Sequence, residues 1–337
     1  MIKLVFLIFI ILPISNLYSQ DKSIIALMYH RFDDNRYPST SISKENFLNQ
    51  INYLKSEQFN FLPLSDLVSF FQGDSNLPDK SIFITIDDGY KSFFENGFPI
   101  LKKENIPFTV FISTKFVSKN NKTDFMDWNM IKELKKNKGE IFNHTKTHKK
   151  LVDLEIDEVK REILDAERKL ESELGKTTKI ISYPYGESDK RIQELVNKLG
   201  YKIAFSQHSS PIHRHENKLN LPRFSINDEF GNIQRFKQIV NSKALLFKSL
   251  NVKEINFESG LLKLLIETKK NSLGINCYTN KNAEIKKLIM NETLIDLTLI
   301  NLEPNNRYRL NCTYFDSDGE LYWYGKMINV TDKKIIF

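Results

Sequence analysis

The sequence predicts an α/β domain followed by a small all-β domain. Short apolar, β-branched runs alternate with amphipathic stretches from residue 24 to about 240, the pattern of parallel strands with crossover helices. Polar residues collect where those strands should end: His30, Asp87, Asp88, His144, Tyr185 and His208. Near residue 250 helical periodicity gives way to strand-like alternation. Barrels and doubly wound open sheets both gather polar residues at C-terminal strand ends, so this clustering supports α/β without choosing between them.

Each element has a local reason. The apolar run 24–30 predicts a buried first strand ending at His30. Ser43 caps a helix whose inner face is Phe47, Ile51 and Leu54. Ser65 opens a second through Leu67, Val68 and Phe71, and Gly73 stops it. Ile82, Ile84 and Ile86 mark a strand ending in Asp87, Asp88 and Gly89. Residues 90–105 predict a helix with an irregularity at Gly97, Phe98 and Pro99, and 107–113 a buried strand. A helix near 127–136 precedes a strand at 140–144. Ile156, Val159, Ile163, Ala166, Leu170 and Leu174 recur at helical spacing until Gly175. Strands at 179–186 and 202–206 flank a helix at 190–199.

Beyond residue 250, strands are expected at 260–268, 293–300, 307–314 and 320–327, with a hairpin turn at Asp318 and Gly319, and together they predict a sandwich. Tyr308, Leu310, Cys312 and Tyr314 share one strand face. Tyr322, Trp323 and Tyr324 put aromatics on both faces of the last strand; one face is core, and packing on the first domain is a simpler use of the other than glycan binding.

A chain of 337 residues, 41% hydrophobic and 27% charged, describes a folded globular protein. The net charge of +7 is spread without a long basic block, which argues against nucleic-acid binding. Residues 1–19 read as a secretory signal peptide: Lys3 near the start, an apolar core at 4–14, a polar stretch at 16–20, cleavage after Ser19. That core is short for a membrane span, and no other apolar stretch approaches membrane length. The expected organisation is a signal peptide (1–19), an α/β domain (20–245) and a β domain (250–337), exported to the periplasm, cell envelope or exterior. Cys277 and Cys312 suit one disulfide in an exported protein, with two separate buried thiols as the alternative.

Two adjacent carboxylates repel unless positive charge lies beside them, and a metal ion is the simplest candidate for Asp87 and Asp88. His144 and His148 lie four apart, so on one helical turn or in a tight loop both rings reach one ion. With Asp88 they make a two-histidine, one-carboxylate set with positions left for water, as in catalytic rather than structural zinc sites.

Residues 84–90 (ITIDDGY) and 144–148 (HTKTH) resemble the first two motifs of the polysaccharide deacetylases, the NodB-homology group called carbohydrate esterase family four. Residues 183–186 (YPYG) are similar to the third, and the likeness runs from about 24 to 240. The resemblance implies a distorted (β/α) barrel in which Asp88, His144 and His148 hold a divalent metal, usually zinc. The metal would polarise the acetyl carbonyl and acidify a bound water, with Asp87 as general base and the Tyr185 backbone N–H as oxyanion donor. The family's third motif often carries an arginine two places before its proline, to orient the base; Ser182 stands there, and Arg223 is the candidate substitute.

The family's late Leu-x-His, source of the general acid, has no counterpart in this sequence. His30, ending the run LMYH (27–30), resembles the early histidine of the exported poly-N-acetylglucosamine deacetylases and is the preferred acid; His208 is the second candidate. Tyr185 and Trp128 are candidate sugar-contacting aromatics, while His213 and His215 are expected in solvent. The implied activity is metal-dependent removal of N-acetyl groups from an amino-sugar polysaccharide substrate. The alternatives are a catalytically altered glycan-binding protein on the same fold, an O-acetyl or peptidoglycan deacetylase, and an amidase acting on small amides. Nothing in the sequence specifies an oligomeric state.

Overall fold

The computed structural model describes residues 22–118, 123–176 and 178–337. The expected signal peptide lies outside them, and no helix among the described residues is long and apolar enough to cross a membrane. Eight parallel strands make one sheet: β1 (Ile25–Tyr29), β2 (Asn60–Phe61), β3 (Ser81–Ile86), β4 (Phe108–Ile112), β5 (Gly139–Asn143), β6 (Ile180–Ser182), β7 (Ile203–Phe205) and β8 (Phe224–Ser225). Their order in space is β8-β1-β3-β4-β5-β6-β7, with β2 beside β3. Strands β1, β3 and β4 are buried at every position, as a sheet covered on both faces requires. Leu221 bridges to Phe205 while β8 pairs with β1, so residues 221–225 carry the sheet back toward its first strand. The result is the distorted barrel, not the open sheet.

Alternation along the strands divides the core. Ile82, Ile84 and Ile86 pack with the helices α1 (Lys44–Ser56) and α3 (Phe98–Lys103). Phe83, Phe111, Phe142, Phe205 and Leu221 fill a second cluster. Asp87 continues the Phe83 and Thr85 face of β3. Ser43 caps α1 by accepting from the Asn46 N–H, and Gly73 ends α2 (Ser65–Gln72). The irregularity expected near Gly97 is a π-helical turn over Phe93–Gly97, just before α3. The remaining helices are α4 (Trp128–Lys136), α5 (Ile156–Leu174), α6 (Lys190–Lys198) and α7 (Ile233–Val240).

The C-terminal region is a sandwich. One sheet holds β9 (Phe247–Asn256), β10 (Leu261–Thr268), β12 (Glu284–Asn291) and β13 (Leu294–Ile300), in the order β9-β10-β13-β12. The other holds β11 (Asn276–Tyr278), β14 (Asn306–Phe315) and β15 (Leu321–Val330), with short pairings at Lys243–Ala244 and Ile335–Ile336. Leu264, Ile266, Leu297, Tyr308, Leu310 and Cys312 meet between them. Cys277 and Cys312 form a disulfide joining β11 to β14. On β15, Tyr322 and Tyr324 pack on this core, whereas Trp323 enters the barrel's outer cluster, 5.3 Å from the Phe224 ring. Gly325 lies on the Trp323 face, and a Cβ there would stand 2.0 Å from the Ser209 carbonyl oxygen. Strand β15 therefore rests directly on the barrel.

Candidate active site

Asp87 and Asp88 follow β3, and His144 follows β5. Thr145 (φ 66°) and His148 (φ 55°) are left-handed, so the two histidines belong to a tight loop, not a helix. That loop is tied down on all sides. The Thr145 N–H donates to Asn143 Oδ1 at 2.8 Å, and the His148 N–H to Thr145 Oγ1 at 3.2 Å. Glu162 of α5 accepts from the Thr147 N–H at 2.7 Å and from its hydroxyl at 2.8 Å. Glu167, five residues on, accepts from Asn143 Nδ2 at 2.8 Å and from the Tyr201 hydroxyl at 2.6 Å. Sequence reasoning passed over both glutamates. Their signal was two carboxylates on the apolar side of an amphipathic helix, where an unpaired acid is too costly to persist.

The ligand atoms of Asp88, His144 and His148 lie within 4.8 Å of one another. Asp88 Oδ1 is 3.2 Å from both His144 Nε2 and His148 Nε2. Yet Asp88 Oδ1 and His144 Nε2 are buried without a hydrogen-bond partner, so these atoms converge on a common point rather than bond to each other. His144 Nδ1 lies 2.7 Å from the Ser182 carbonyl, which can only accept; its proton is therefore on Nδ1, and Nε2 presents a lone pair. Burial would raise the Asp88 carboxyl, but His144, His148 and His30 hold it well below its ordinary value. Burial would lower His144, but Asp87 and Asp88 carry it up. The pocket thus calls for positive charge, and its donor set fits a divalent metal ion.

Asp87 has a different partner. The Arg223 guanidinium donates to both its oxygens, Nη1 to Oδ1 and Nη2 to Oδ2, each at 2.7 Å, and both side chains are fully buried. The remaining N–H groups bond Thr85 Oγ1 (3.0 Å), Ser182 Oγ (2.7 Å) and the Ser206 carbonyl (3.2 Å). Burial pushes the Asp87 carboxyl up, and Arg223, then His144 and His30, bring it below its ordinary value. Arg223 arrives from the segment between β7 and β8, and the small Ser182 hydroxyl bonds the guanidinium within the same cluster.

The two candidate acids separate. Burial lowers His30, while Asp88 and Asp87, in whose field it sits, pull it the other way. His208 lies elsewhere: it is buried beside Lys326, Glu216 and Arg309, and burial pushes it down to about 3. The charged groups around His208 are thus Lys326 of β15, Arg309 of β14 and Glu216, with none of Asp87, Asp88, His144 or His148 among them. Trp128 also differs from expectation. Its ring packs on the core between α4 and α5, with Lys169 Nζ 5.4 Å from its centroid. Nor is His213 free in solvent, since its Nε2 meets Glu216 at 3.0 Å.

Tyr185 does reach the rim, its ring 4.6 Å from that of His148 and partly exposed. Its backbone is left-handed (φ 59°), a conformation that costs a non-glycine residue on the order of 1–2 kcal/mol. Gly186 follows at φ 73°, where a Cβ would stand 2.3 Å from the Gln207 nitrogen, so only glycine fits.

An arginine-held carboxylate beside a metal-competent Asp–His–His group, at the C-terminal rim of a (β/α) barrel, is an arrangement able to support metal-assisted attack of water. Residues 74–204 match the family model described as Polysaccharide deacetylase. A curated relative, the poly-beta-1,6-N-acetyl-D-glucosamine N-deacetylase of Staphylococcus aureus (strain MRSA252), is 28% identical over 242 residues, covering 64% of this chain and 83% of the relative. Among solved structures, the Streptococcus pyogenes deacetylase PplD in complex with acetate superposes with a TM-score of 0.60 at 21% identity, covering 65% of this chain and 99% of that one. IcaB from Ammonifex degensii gives 0.57 at 23% identity, covering 66% and 98%. These two structures share the barrel fold.

Proposed function

We propose that the chain removes N-acetyl groups from a poly-β-1,6-N-acetylglucosamine-like polysaccharide outside the cytoplasm, with zinc held by Asp88, His144 and His148. The observation that carries this reading is the pairing of Asp87 with Arg223 next to that ligand set. The name of the staphylococcal relative supports the substrate class. The Cys277–Cys312 disulfide favours an oxidising compartment, in keeping with a signal peptide at 1–19, a catalytic domain at 20–245 and an accessory β domain at 250–337.

The metal, when bound, supplies the Lewis acid that polarises the acetyl carbonyl and acidifies a water. Asp87, kept ionised and oriented by Arg223, takes the proton of the attacking water. The Tyr185 N–H donates to the oxygen that becomes negative. His30 returns a proton to the leaving amine. Because all three ligands and the base are present, a purely glycan-binding role is disfavoured.

The test is acetate release from poly-β-1,6-N-acetylglucosamine, chitin oligomers, peptidoglycan and small acetamides, with and without chelator. Poly-β-1,6-N-acetylglucosamine should be the preferred substrate and chelator should abolish turnover; activity indifferent to chelator sinks the metal mechanism. His30→Ala should lower kcat by about 10²–10⁴-fold at unchanged metal content. His208→Ala, measured alongside, should stay near the wild-type rate per folded molecule, and the reverse pattern would exchange the two roles.

A further inference from the structure

The β domain reaches the site. On β14, Tyr308, Leu310 and Cys312 pack inside the sandwich, so alternation turns Arg307, Arg309 and Asn311 to the opposite face. That face lies against the barrel: Asn311 Oδ1 accepts from Trp323 Nε1 at 3.0 Å, and Trp323 packs on Phe224. Arg307, at the end of the same row, donates through Nη1 to the backbone carbonyl of Tyr185.

That contact falls on a peptide that governs the geometry of the rim. The peptide joining Tyr185 to Gly186 is bonded at both ends: its N–H donates to the Tyr183 carbonyl at 2.8 Å, and its carbonyl accepts from Arg307. Rotating this peptide changes ψ of Tyr185 (3°) and φ of Gly186 (73°), so its two bonds fix the path by which the chain leaves the left-handed Tyr185. The bond inside the turn holds one end only, and Arg307 holds the other from a different domain. Tyr185 in turn carries both the ring that meets His148 at 4.6 Å and the N–H assigned above to the developing oxyanion.

We propose that Arg307 is a positioning residue for the hydrolytic reaction, and that the β domain completes the active site by locking Tyr185 in place. The inference rests on the deacetylase reading. It makes the β domain part of the catalytic unit through one side chain, apart from any glycan binding of its own.

The test compares full-length wild type, Arg307→Ala, Arg307→Lys and Asn311→Ala, with rates normalised to folded, metal-loaded protein. Asn311→Ala loosens the same interface without touching Tyr185. Arg307→Ala should lower kcat by about 10- to 100-fold with little change in KM, the scale of a misplaced catalytic group. It should also speed amide exchange at residues 185–187. Arg307→Lys, which keeps one donor, should recover part of the rate, and Asn311→Ala should keep kcat whatever it does to the melting temperature. If the wild type is active and Arg307→Ala stays within twofold of it, the positioning role is overturned while the deacetylase reading stands. An equal loss in Asn311→Ala overturns it too, because the effect would then belong to the interface. A wild type that releases no acetate from any of the four substrates refutes the deacetylase reading, and the positioning role with it.

Discussion

Asp87→Asn should keep its metal and lose its turnover, with kcat down by about 10²–10⁴-fold, the usual contribution of a positioned general base. The two adjacent aspartates differ in what each touches. Asp88 Oδ1 faces two imidazole nitrogens and bonds neither. Asp87 is held through both oxygens by Arg223 and comes no closer than 4.0 Å to His144 Nε2. An amide at Asp87 keeps the shape and can still accept from Arg223, but it cannot take a proton from water. An amide at Asp88 removes the anionic ligand of the set and should strip the metal. Metal content per chain and acetate release, measured on both variants, separate the roles. Metal loss in Asp87→Asn, or metal retention with full activity in Asp88→Asn, would mean the two assignments are exchanged or wrong. Asp87→Asn also leaves a buried guanidinium without its counter-charge, so rates are compared per folded molecule.

Much of this was legible because local signals agreed with the fold. The apolar strands β1, β3 and β4 are buried on both faces, and nothing but a covered parallel sheet accommodates them. Asp88, His144 and His148 were readable because a carboxylate and two imidazoles at strand ends have few other reasons to coincide. What stayed illegible depended on contacts distant in sequence. Strands β9 and β12 are the two edges of their sheet, and their mixed lysine, glutamate and asparagine content hides the alternation. Trp128 was a candidate sugar-contacting aromatic, but its ring packs on the core with Lys169 of α5 against it. His208 follows β7 in sequence as His144 follows β5, and only its charged neighbours on β14 and β15 show that it lies elsewhere. No local signal ties Arg307 to Tyr185, 122 residues earlier.

Arg223 should be the most damaging single position for stability. It is fully buried, and every one of its N–H groups is engaged: two on Asp87, one each on Thr85, Ser182 and Ser206. Arg223→Met keeps the bulk and removes all of this, leaving Asp87 charged in a dry interior; breaking such a pair costs about 3–5 kcal/mol. The sign of its pH dependence follows from the two opposing causes. In the wild type Arg223 outweighs burial and Asp87 titrates below its ordinary value. Its contribution to stability is therefore present above the unfolded pKa and fades as pH falls through the folded one. Without Arg223, burial is opposed only by His144 and His30, so the folded pKa should rise relative to the wild type. The ionised form then contributes less to stability than in the wild type, and the variant's deficit grows as pH rises through the ordinary carboxylate range. Unfolding wild type and Arg223→Met at pH 5 and pH 7 should show a deficit that narrows at the lower pH. Arg223→Lys should fold better but act poorly: an ammonium cannot grip both carboxylate oxygens in a plane while also bonding Ser182, Thr85 and Ser206. Its kcat should fall by about 10- to 100-fold at unchanged metal content. A lysine variant with wild-type kcat would mean that Arg223 neutralises Asp87 without orienting it, and the case for a geometrically held base would go with it.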